Sequence, residues 1–172
     1  MTYPRRHRFQ NQGHRPDQER NRGVMKPSVR STSTRTFLVI PALVMVEQII
    51  RRRPVRPRWL PTMAWGFLQY RMVGRYRNRH GGGGPGLKKP PEHLLSTGPY
   101  ALTRNPMYLG HIIYLLGLTL FTRSPVASAI TAAHIPWFQR RVSGDEANLE
   151  QQFGEDYRKY KHVVPRWIPR LP

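Results

Sequence analysis

The sequence contains no cysteine among its 172 residues. This absence excludes a disulfide framework, a thiolate metal site and a cysteine nucleophile. Acidic residues are also scarce, because 9 Asp and Glu stand against 29 Lys and Arg, and the formal net charge is +20. Such an excess of positive charge favours polyanionic partners, either nucleic acid or the anionic face of a membrane, and does not choose between them.

Large aliphatic residues are almost absent from the first 35 positions, which are rich in Arg, Gln, Asn, Ser, Thr and Pro. Neither helical nor strand periodicity is visible there. We therefore predict a disordered basic tail over residues 1–35 and one membrane-embedded domain over residues 36–172. No apolar core follows the N-terminal arginines before Phe37, so we expect no signal peptide and membrane insertion through internal segments.

Four apolar runs follow, at residues 36–50, 59–73, 106–121 and 125–138. The first is short for a membrane span, which normally needs about 20 residues. The last two carry no Lys, Arg, Asp or Glu and are joined by a very short linker, which predicts an antiparallel helical hairpin. Because this hairpin lacks a polar stripe, membrane helices are favoured over a buried soluble pair. The predicted fold is an all-α, multi-pass membrane helical bundle.

Basic clusters flank these runs and bear on topology. The positive-inside rule places residues 71–104, residues 140–141 and the C-terminal tail on the cytoplasmic side. The basic loop at residues 51–58 conflicts with a simple crossing by the first two runs, so either the first run lies in the interface or the topology is unusual. The GGGGPG stretch at residues 81–86 predicts a flexible loop, and it is not a phosphate loop because no Gly-Lys-Ser/Thr follows.

Two motifs carry most of the functional information. The first reads GPYALTRNPMYLG from Gly98 to Gly110, where Asn105 and Pro106 open an apolar helix beside an arginine. This pattern predicts a helix N-terminus able to hold an anion. The second motif, from Asp145 onward, reads DEANLEQQFGEDYRKYKHVVPRWIP and holds five of the nine acidic residues within a short distance. It predicts a surface that faces a cation.

Together the motifs resemble those of the isoprenylcysteine carboxyl methyltransferase and phospholipid methyltransferase group of integral-membrane, S-adenosylmethionine-dependent enzymes. The family patterns are G-x-Y-x-x-x-R-H-P-x-Y-x-G and E-E-x-x-L-x-x-x-F-G-x-x-Y-x-x-Y. Matching positions here are Gly98, Tyr100, Arg104, Pro106, Tyr108, Gly110, Glu146, Leu149, Phe153, Gly154, Tyr157 and Tyr160. Asn105 stands in place of the family's His, and Asp145 in place of the first Glu, so the acceptor remains open.

The resemblance implies that residues 36–172 form a methyltransferase domain with its active site at the cytoplasmic face. The expected cofactor is S-adenosylmethionine, and the expected acceptor is a lipid-like or prenylated small molecule. The candidate catalytic residues are Arg104, Arg141 and Glu146. The candidate cofactor-binding residues are Glu92, His93, Leu94, Leu95, Tyr100, Asn105, Pro106, Met107, Tyr108, Asp145 and Glu146.

The chemistry of the cofactor agrees with part of this set. S-adenosylmethionine carries a carboxylate, which the backbone amides after Asn105 would receive. Its ammonium group would meet Asp145 and Glu146, and its sulfonium would lie against the face of Tyr108. Methyl transfer depends on proximity and alignment, so no metal is implied.

Other interpretations of single residues stay open. Gly110 and Gly117 would either allow close helix packing or leave room for the cofactor. His111 would either be a hydrogen-bonded packing residue or serve as the base for an amine acceptor. Tyr157 and Tyr160, with Trp167, are interpreted as interface anchors and packing groups.

The acceptor and the acidic pair also have alternatives. For a carboxylate acceptor, Arg141 or Arg104 would hold the nucleophile, and for a protonated amine His111 or Glu146 would act as the base. Arg104 would otherwise bind lipid phosphate. Asp145 and Glu146 would otherwise serve only as partners for the neighbouring arginines at positions 140 and 141.

Two further function classes are open for the whole chain. One is a non-catalytic membrane adaptor whose basic tail docks on anionic lipid or an acidic partner. The other is a small nucleic-acid-binding protein, supported by the charge and the interleaved Tyr and Trp residues. The second leaves the uncharged hairpin without a role, so no specific nucleic acid is expected. Anionic lipid headgroups are expected near the basic segments.

Overall fold

A computed structural model describes residues 31–82 and 91–168. Every regular element in these ranges is a helix, which confirms the all-α prediction for this part of the chain. The predicted tail lies outside the described residues except for 31–35, and the GGGGPG loop lies outside them except for its first two glycines. The helices are α1 (Thr32–Arg51), α2 (Leu60–His80), α3 (Pro99–Leu102), α4 (Pro106–Thr122) and α5 (Pro125–Val163).

Helix α1 is longer than the sequence predicted. It begins at Thr32, within the expected tail, and a π-helical stretch at Arg35–Val39 joins its two α-helical parts. The left-handed backbone of Arg52, with φ 48° and ψ 36°, ends the helix. With 20 residues and a mean hydropathy of 1.4, α1 is the one helix in the described ranges that is long and apolar enough to cross a membrane. The first run is therefore not too short for a span.

Helix α2 continues through the basic stretch that follows the second apolar run. Its exposed face changes along the axis from apolar to cationic, because residues three or four apart share a face. The exposed positions on this face are Leu60, Ala64 and Leu68, followed by Arg71, Arg75 and Arg79. The opposite face buries Gly66, Val73 and Arg77. One helix thus carries an apolar half, a cationic half and a buried arginine.

Glycines bring α2 and α4 into backbone contact. A Cβ placed on Gly66 would lie 2.5 Å from the Tyr114 nitrogen and 2.7 Å from the Gly110 carbonyl oxygen. A Cβ on Gly117 would lie 2.8 Å from the Met63 nitrogen. These separations leave no space for a side chain. The packing interpretation of Gly110 and Gly117 is therefore supported, and we define the glycine seam as Gly66, Gly110 and Gly117.

Helices α4 and α5 form the predicted antiparallel hairpin around Ser124. The Ser124 hydroxyl accepts a hydrogen bond from the Ala127 amide at 3.0 Å and caps α5. The same hydroxyl donates to the carboxylate of Glu47 in α1. Helix α5 does not end near Phe138, as the sequence predicted, but continues to Val163. The helix is kinked at Gly154, whose φ of 54° and ψ of −123° are not helical.

The core lies between α1, α4 and α5, and a smaller cluster lies beside the C-terminal part of α5. The main core contains Ile40, Val44, Tyr108, Leu115, Leu118, Ala127, Phe138 and Val142. The smaller cluster contains Tyr157, Tyr160 and Val164. Large apolar side chains also point outward on α1, α2, α4 and α5, including Ile50 at 75% exposure and Met72 at 62%. Outward apolar faces on four helices require an apolar environment or partner.

Candidate active site

A cavity of about 330 Å³ lies beside the start of α4. Its volume is within the range of small-molecule sites, roughly 300–1,000 Å³. The two sequence motifs meet in its walls, although about thirty residues separate them in the chain. The lining residues are Arg77, Pro91, Leu94, Leu95, Tyr100, Arg104, Asn105, Pro106, Met107, Tyr108, Arg141, Asp145, Glu146, Asn148, Leu149, Gln152, Tyr157 and Tyr160.

Most of the predicted site residues lie in this lining. The exceptions are Glu92 and His93, whose side chains are exposed outside the cavity. Their backbone amides lie 2.6 Å and 3.2 Å from the carbonyl oxygen of Gly81, to which they donate. These hydrogen bonds hold the two residues against the C-terminal end of α2, and the residues after them, Leu94 and Leu95, line the cavity.

Glu146 is the centre of the polar wall. Its carboxylate is buried and accepts a hydrogen bond from Arg166 Nη2 at 2.6 Å. The other carboxylate oxygen accepts from Asn105 Nδ2 at 3.2 Å and lies 3.5 Å from Arg104 Nε. Two guanidinium groups thus share one buried carboxylate, and this corner of the cavity keeps a net positive charge.

Arg104 has unused hydrogen-bonding capacity. Its side chain is only 11% exposed, and neither its Nε nor its Nη1 atom has a hydrogen-bond partner among the described residues. Its backbone is fixed, because the Arg104 amide donates to the Pro165 carbonyl oxygen at 2.9 Å. A buried donor without a partner carries a desolvation cost that an incoming acceptor would remove. The arrangement suits an anionic group in the cavity.

Asn105 is at the N-cap position of α4, but its side chain makes no capping hydrogen bond. Instead Nδ2 donates both to Glu146 and to the carbonyl oxygen of Arg166, the latter at 3.3 Å. The Asn105 side chain therefore does not cap α4, although Asn is a favourable residue at this position. The side chain connects the second motif to the C-terminal segment, and Pro106, Met107 and Tyr108 of the first turn of α4 line the cavity.

Asp145 forms a second polar cluster across the cavity. It accepts a hydrogen bond from the Tyr108 hydroxyl at 2.7 Å and pairs with Arg141 at 3.6 Å. The pairing of neighbouring acidic and basic residues along α5 is thus supported for Asp145. It is wrong for Glu146, whose partners Arg104 and Arg166 are distant in sequence.

Three tyrosines, Tyr100, Tyr157 and Tyr160, line another part of the cavity. The Tyr160 hydroxyl donates to the carbonyl oxygen of Tyr100 at 2.7 Å, and Tyr157 is fully buried. Burial raises the pKa of Tyr100 to about 12, although the nearby Arg77 lowers it. Burial also raises the pKa values of Tyr157 and Tyr160. All three rings therefore present neutral hydroxyls at neutral pH, and the packing interpretation of Tyr157 and Tyr160 is supported.

Sequence reasoning missed four polar residues at the site: Arg77, Asn148, Gln152 and Arg166. Arg77 was hidden in a basic stretch, although its spacing from Gly66 and Val73 puts it on the buried face of α2. Asn148 and Gln152 follow Asp145 at helical spacing, which could have indicated a shared face. Nothing in the sequence indicates that Arg166 folds back onto Glu146.

His111 lies away from the cavity. Its ring is fully buried among Phe37, Tyr70, Tyr108 and Phe138, with centroid separations of 4.7 to 6.3 Å. Its Nδ1 donates to the carbonyl oxygen of the residue one turn earlier at 2.8 Å. This position supports the packing interpretation of His111 over that of a base.

Glu150 fixes the direction of the chain after Gly154. Lys161 Nζ lies 2.8 Å from its carboxylate, and Arg158 Nε lies 3.0 Å away. Both partners follow the change of direction, whereas Glu150 precedes it. These ion pairs therefore hold the last part of α5, residues 155–163, against its longer first part.

We expect acid to loosen residues 155–163 through Glu150. Hydrogen bonds from Lys161 and then Arg158 lower the pKa of Glu150 from its usual 4.5. Because the folded pKa is below the unfolded one, the stabilisation is complete above the unfolded value and is lost as the pH falls through the folded value. Amide hydrogen exchange of 155–163 between about pH 5 and 3 should show this loosening.

Glu150→Gln should remove the pH-dependent change in exchange, whereas Glu155→Gln, at a carboxylate that is 65% exposed, should retain it. An unchanged pH dependence of exchange in Glu150→Gln would contradict the assignment.

The fold and site together define a small all-α protein with outward apolar faces and a polar cavity at one end of its helices. Residues 84–156 match the model of the phospholipid methyltransferase family. This match supports the family predicted from the sequence.

Curated relatives agree with the family. The chain is 34% identical over 87 residues to protein-S-isoprenylcysteine O-methyltransferase of Schizosaccharomyces pombe, covering 49% of this chain and 37% of that protein. It is 34% identical over 86 residues to protein-S-isoprenylcysteine O-methyltransferase B of Arabidopsis thaliana, covering 48% and 43%. The match to the Homo sapiens protein-S-isoprenylcysteine O-methyltransferase is 30% over 83 residues, covering 48% and 29%. The chain spans less than half the length of these relatives. No solved structure matches it significantly.

Proposed function

We propose that this chain is an S-adenosylmethionine-dependent methyltransferase of the membrane that acts on a lipid-like or prenylated acceptor. The observation that carries the proposal is the cavity in which Arg104 and Asn105 of the first motif meet Asp145 and Glu146 of the second. The relatives are named for methyl transfer to a prenylated cysteine. We extend methyl transfer, and a lipophilic acceptor, to this chain.

The residues of the cavity fit the proposed cofactor. Arg104 offers buried donors without partners to a carboxylate, and Asp145 offers a carboxylate to an ammonium group. The apolar side chains of Leu94, Leu95 and Met107 line the same space and suit an apolar ring system. When bound, S-adenosylmethionine supplies an activated methyl group. The residues named here would hold it by opposite charges at its polar end.

The remaining cations of the lining favour an anionic acceptor. Arg77 and Arg141 line the cavity in addition to Arg104, against the two carboxylates of Asp145 and Glu146. Arg141 is 48% exposed at the cavity mouth and would orient a carboxylate by paired hydrogen bonds. A carboxylate needs no proton removed before it is methylated, so this acceptor requires no base. Orientation and exclusion of water would then be the main contributions of these side chains.

The apolar surfaces support a membrane location. Helix α1 has the length and composition of a span, and α2, α4 and α5 also direct large apolar side chains outward. We propose a multi-pass integral-membrane protein with the cavity on the cytoplasmic side, where the basic half of α2 would meet anionic headgroups. The acceptor would then approach from the bilayer, and the cofactor from water.

The test is S-adenosylmethionine binding by calorimetry on the full chain in detergent, followed by transfer of labelled methyl to a panel of acceptors. We expect saturable binding, and transfer to a prenylated cysteine carboxylate in preference to a fatty acid or an amino-headgroup lipid. Arg104→Ala and Asp145→Ala should each weaken binding, because the first removes the partner of the cofactor carboxylate and the second removes the carboxylate offered to its ammonium group.

Glu155→Ala is the matched control, since it removes an acidic side chain from α5 that is 65% exposed and outside the cavity lining. Its binding should equal that of the wild type. Absence of binding by folded wild-type protein would contradict the proposed function.

A further inference from the structure

Arg166 is outside the family match at residues 84–156, yet it joins both motifs. Its guanidinium donates to Glu146 at 2.6 Å. Its carbonyl oxygen accepts from the Thr103 hydroxyl at 3.0 Å and from Asn105 Nδ2 at 3.3 Å. One residue of the C-terminal segment therefore holds Glu146 and Asn105 of the cavity wall and the neighbouring Thr103.

The two arginines at Glu146 are not equivalent. Arg166 is in hydrogen-bonding distance at 2.6 Å, whereas Arg104 Nε is 3.5 Å away and makes no hydrogen bond. Arg104 is also the more buried, at 11% side-chain exposure against 31% for Arg166. Arg104, whose burial costs more free energy, thus makes the longer and weaker contact with Glu146.

This asymmetry has a direct physical explanation. Glu146 is drawn toward Arg166, so the Nη1 and Nε donors of Arg104 stay unused beside the cavity. Without Arg166, the neutral amide of Asn105, at 3.2 Å, would be the one remaining side chain among the described residues that competes with Arg104 for the Glu146 carboxylate. A guanidinium and a carboxylate that are free to approach each other form a paired, two-hydrogen-bond contact. That contact would occupy the donors of Arg104.

We propose that Arg166 is a positioning residue that keeps Arg104 available to the carboxylate of a ligand by holding Glu146 away from it. The inference rests on the proposed function, in which that carboxylate belongs either to the cofactor or to the acceptor. Arg166 itself need not touch the ligand. It acts through Glu146. Without Arg166, Glu146 would pair with Arg104, and Arg104 could no longer bind the carboxylate of a ligand.

Carboxylate selectivity provides the test, measured on the full chain in detergent by calorimetry. One pair of ligands is S-adenosylmethionine and its decarboxylated analogue, and the other pair is a prenylated cysteine and its carboxamide. In the wild type, the carboxylate form of at least one pair should bind roughly 10- to 100-fold more tightly than the counterpart that lacks the carboxylate. The pair that shows the preference identifies the source of the carboxylate.

Arg166→Gln should abolish this preference, with affinity lost for the carboxylate ligand and retained for its counterpart. Arg166→Lys should keep most of the preference, because the ammonium group still holds Glu146. The double variant Glu146→Gln with Arg166→Gln should restore it, since a neutral side chain at position 146 cannot neutralise Arg104. A general loss of structure would not recover on adding a second substitution.

Equal weakening of both ligands of a pair by Arg166→Gln would overturn the inference and leave Arg166 a structural role alone. Failure of the double variant to recover the preference would also overturn it. If the folded wild type bound none of the four ligands, the proposed function itself would fail, which is a different result from binding without carboxylate preference.

Discussion

Replacing Gly66 with alanine is expected to destabilise the protein by about 2 kcal/mol, although alanine is the better helix former. The new methyl group would lie 2.5 Å from the Tyr114 nitrogen and 2.7 Å from the Gly110 carbonyl oxygen. Both are backbone atoms, so no side-chain rotation can relieve the overlap and α2 and α4 must separate. Separation would reduce close contacts along the whole glycine seam.

Gly144→Ala is the matched control for this change. Gly144 is also helical, and nothing lies within 4 Å of a Cβ placed on it. Alanine there should stabilise the protein by up to about 1 kcal/mol through helix propensity alone. Reversible unfolding of the full chain in mixed detergent measures both variants. Equal effects of the two substitutions would contradict the close approach of α2 and α4.

Replacing Gly154 with alanine is expected to lower affinity for the cofactor about 10-fold or more, with a smaller effect on global stability. The φ of 54° and ψ of −123° at Gly154 are unfavourable for any residue with a Cβ, at a cost of about 1–3 kcal/mol. No neighbouring atom lies within 4 Å of the added methyl, so the backbone conformation alone is tested. A straightened chain would move Tyr157, Tyr160 and Arg166 from the cavity.

Two controls separate backbone conformation from other effects of Gly154→Ala. Gly144→Ala, ten positions earlier in the same helix, should leave affinity unchanged. Gly154→Asn should fail like alanine, because asparagine tolerates the left-handed helical region and not a ψ near −123°. Trypsin cleavage at Arg158 and Lys161 gives a readout that needs no ligand, and it should accelerate in both position-154 variants. Unchanged cleavage and affinity would refute the directing role of Gly154.

The uncharged hairpin could be predicted from the sequence, because it depends on residues close together in the chain. The meeting of the two motifs follows from it, since an antiparallel hairpin returns the chain to the end at which it began. Runs without charge identify α4 and the start of α5, and a short linker requires them to be antiparallel. The continuation of α5 past Phe138 was not predicted, because Pro136 and the arginines that follow the apolar run resemble a helix end. Leu149, Phe153 and Tyr157 recur at helical spacing, but this spacing does not show that their helix continues α5.

The details of the site depend on contacts that no local pattern encodes. Glu146 has acidic and basic neighbours in sequence, yet its partners are Arg104 and Arg166, at 42 and 20 positions' distance. The side chain of Asn105 follows its strongest partners rather than its helix-capping propensity. Tertiary contacts therefore override local preference at the two residues on which the polar wall depends.

The glycine seam has a consequence for where the cavity lies relative to its surroundings. Backbone contact between α2 and α4 prevents either helix from sliding along the other. On the outer face of α2, apolar residues give way to arginines between Leu68 and Arg71. The distance of this change from the start of α4 at Pro106, measured along the helix axes, is therefore fixed. A spin label on the outer face of α2 would therefore report the depth of the cavity in the proposed membrane, because α2 and α4 cannot shift relative to each other.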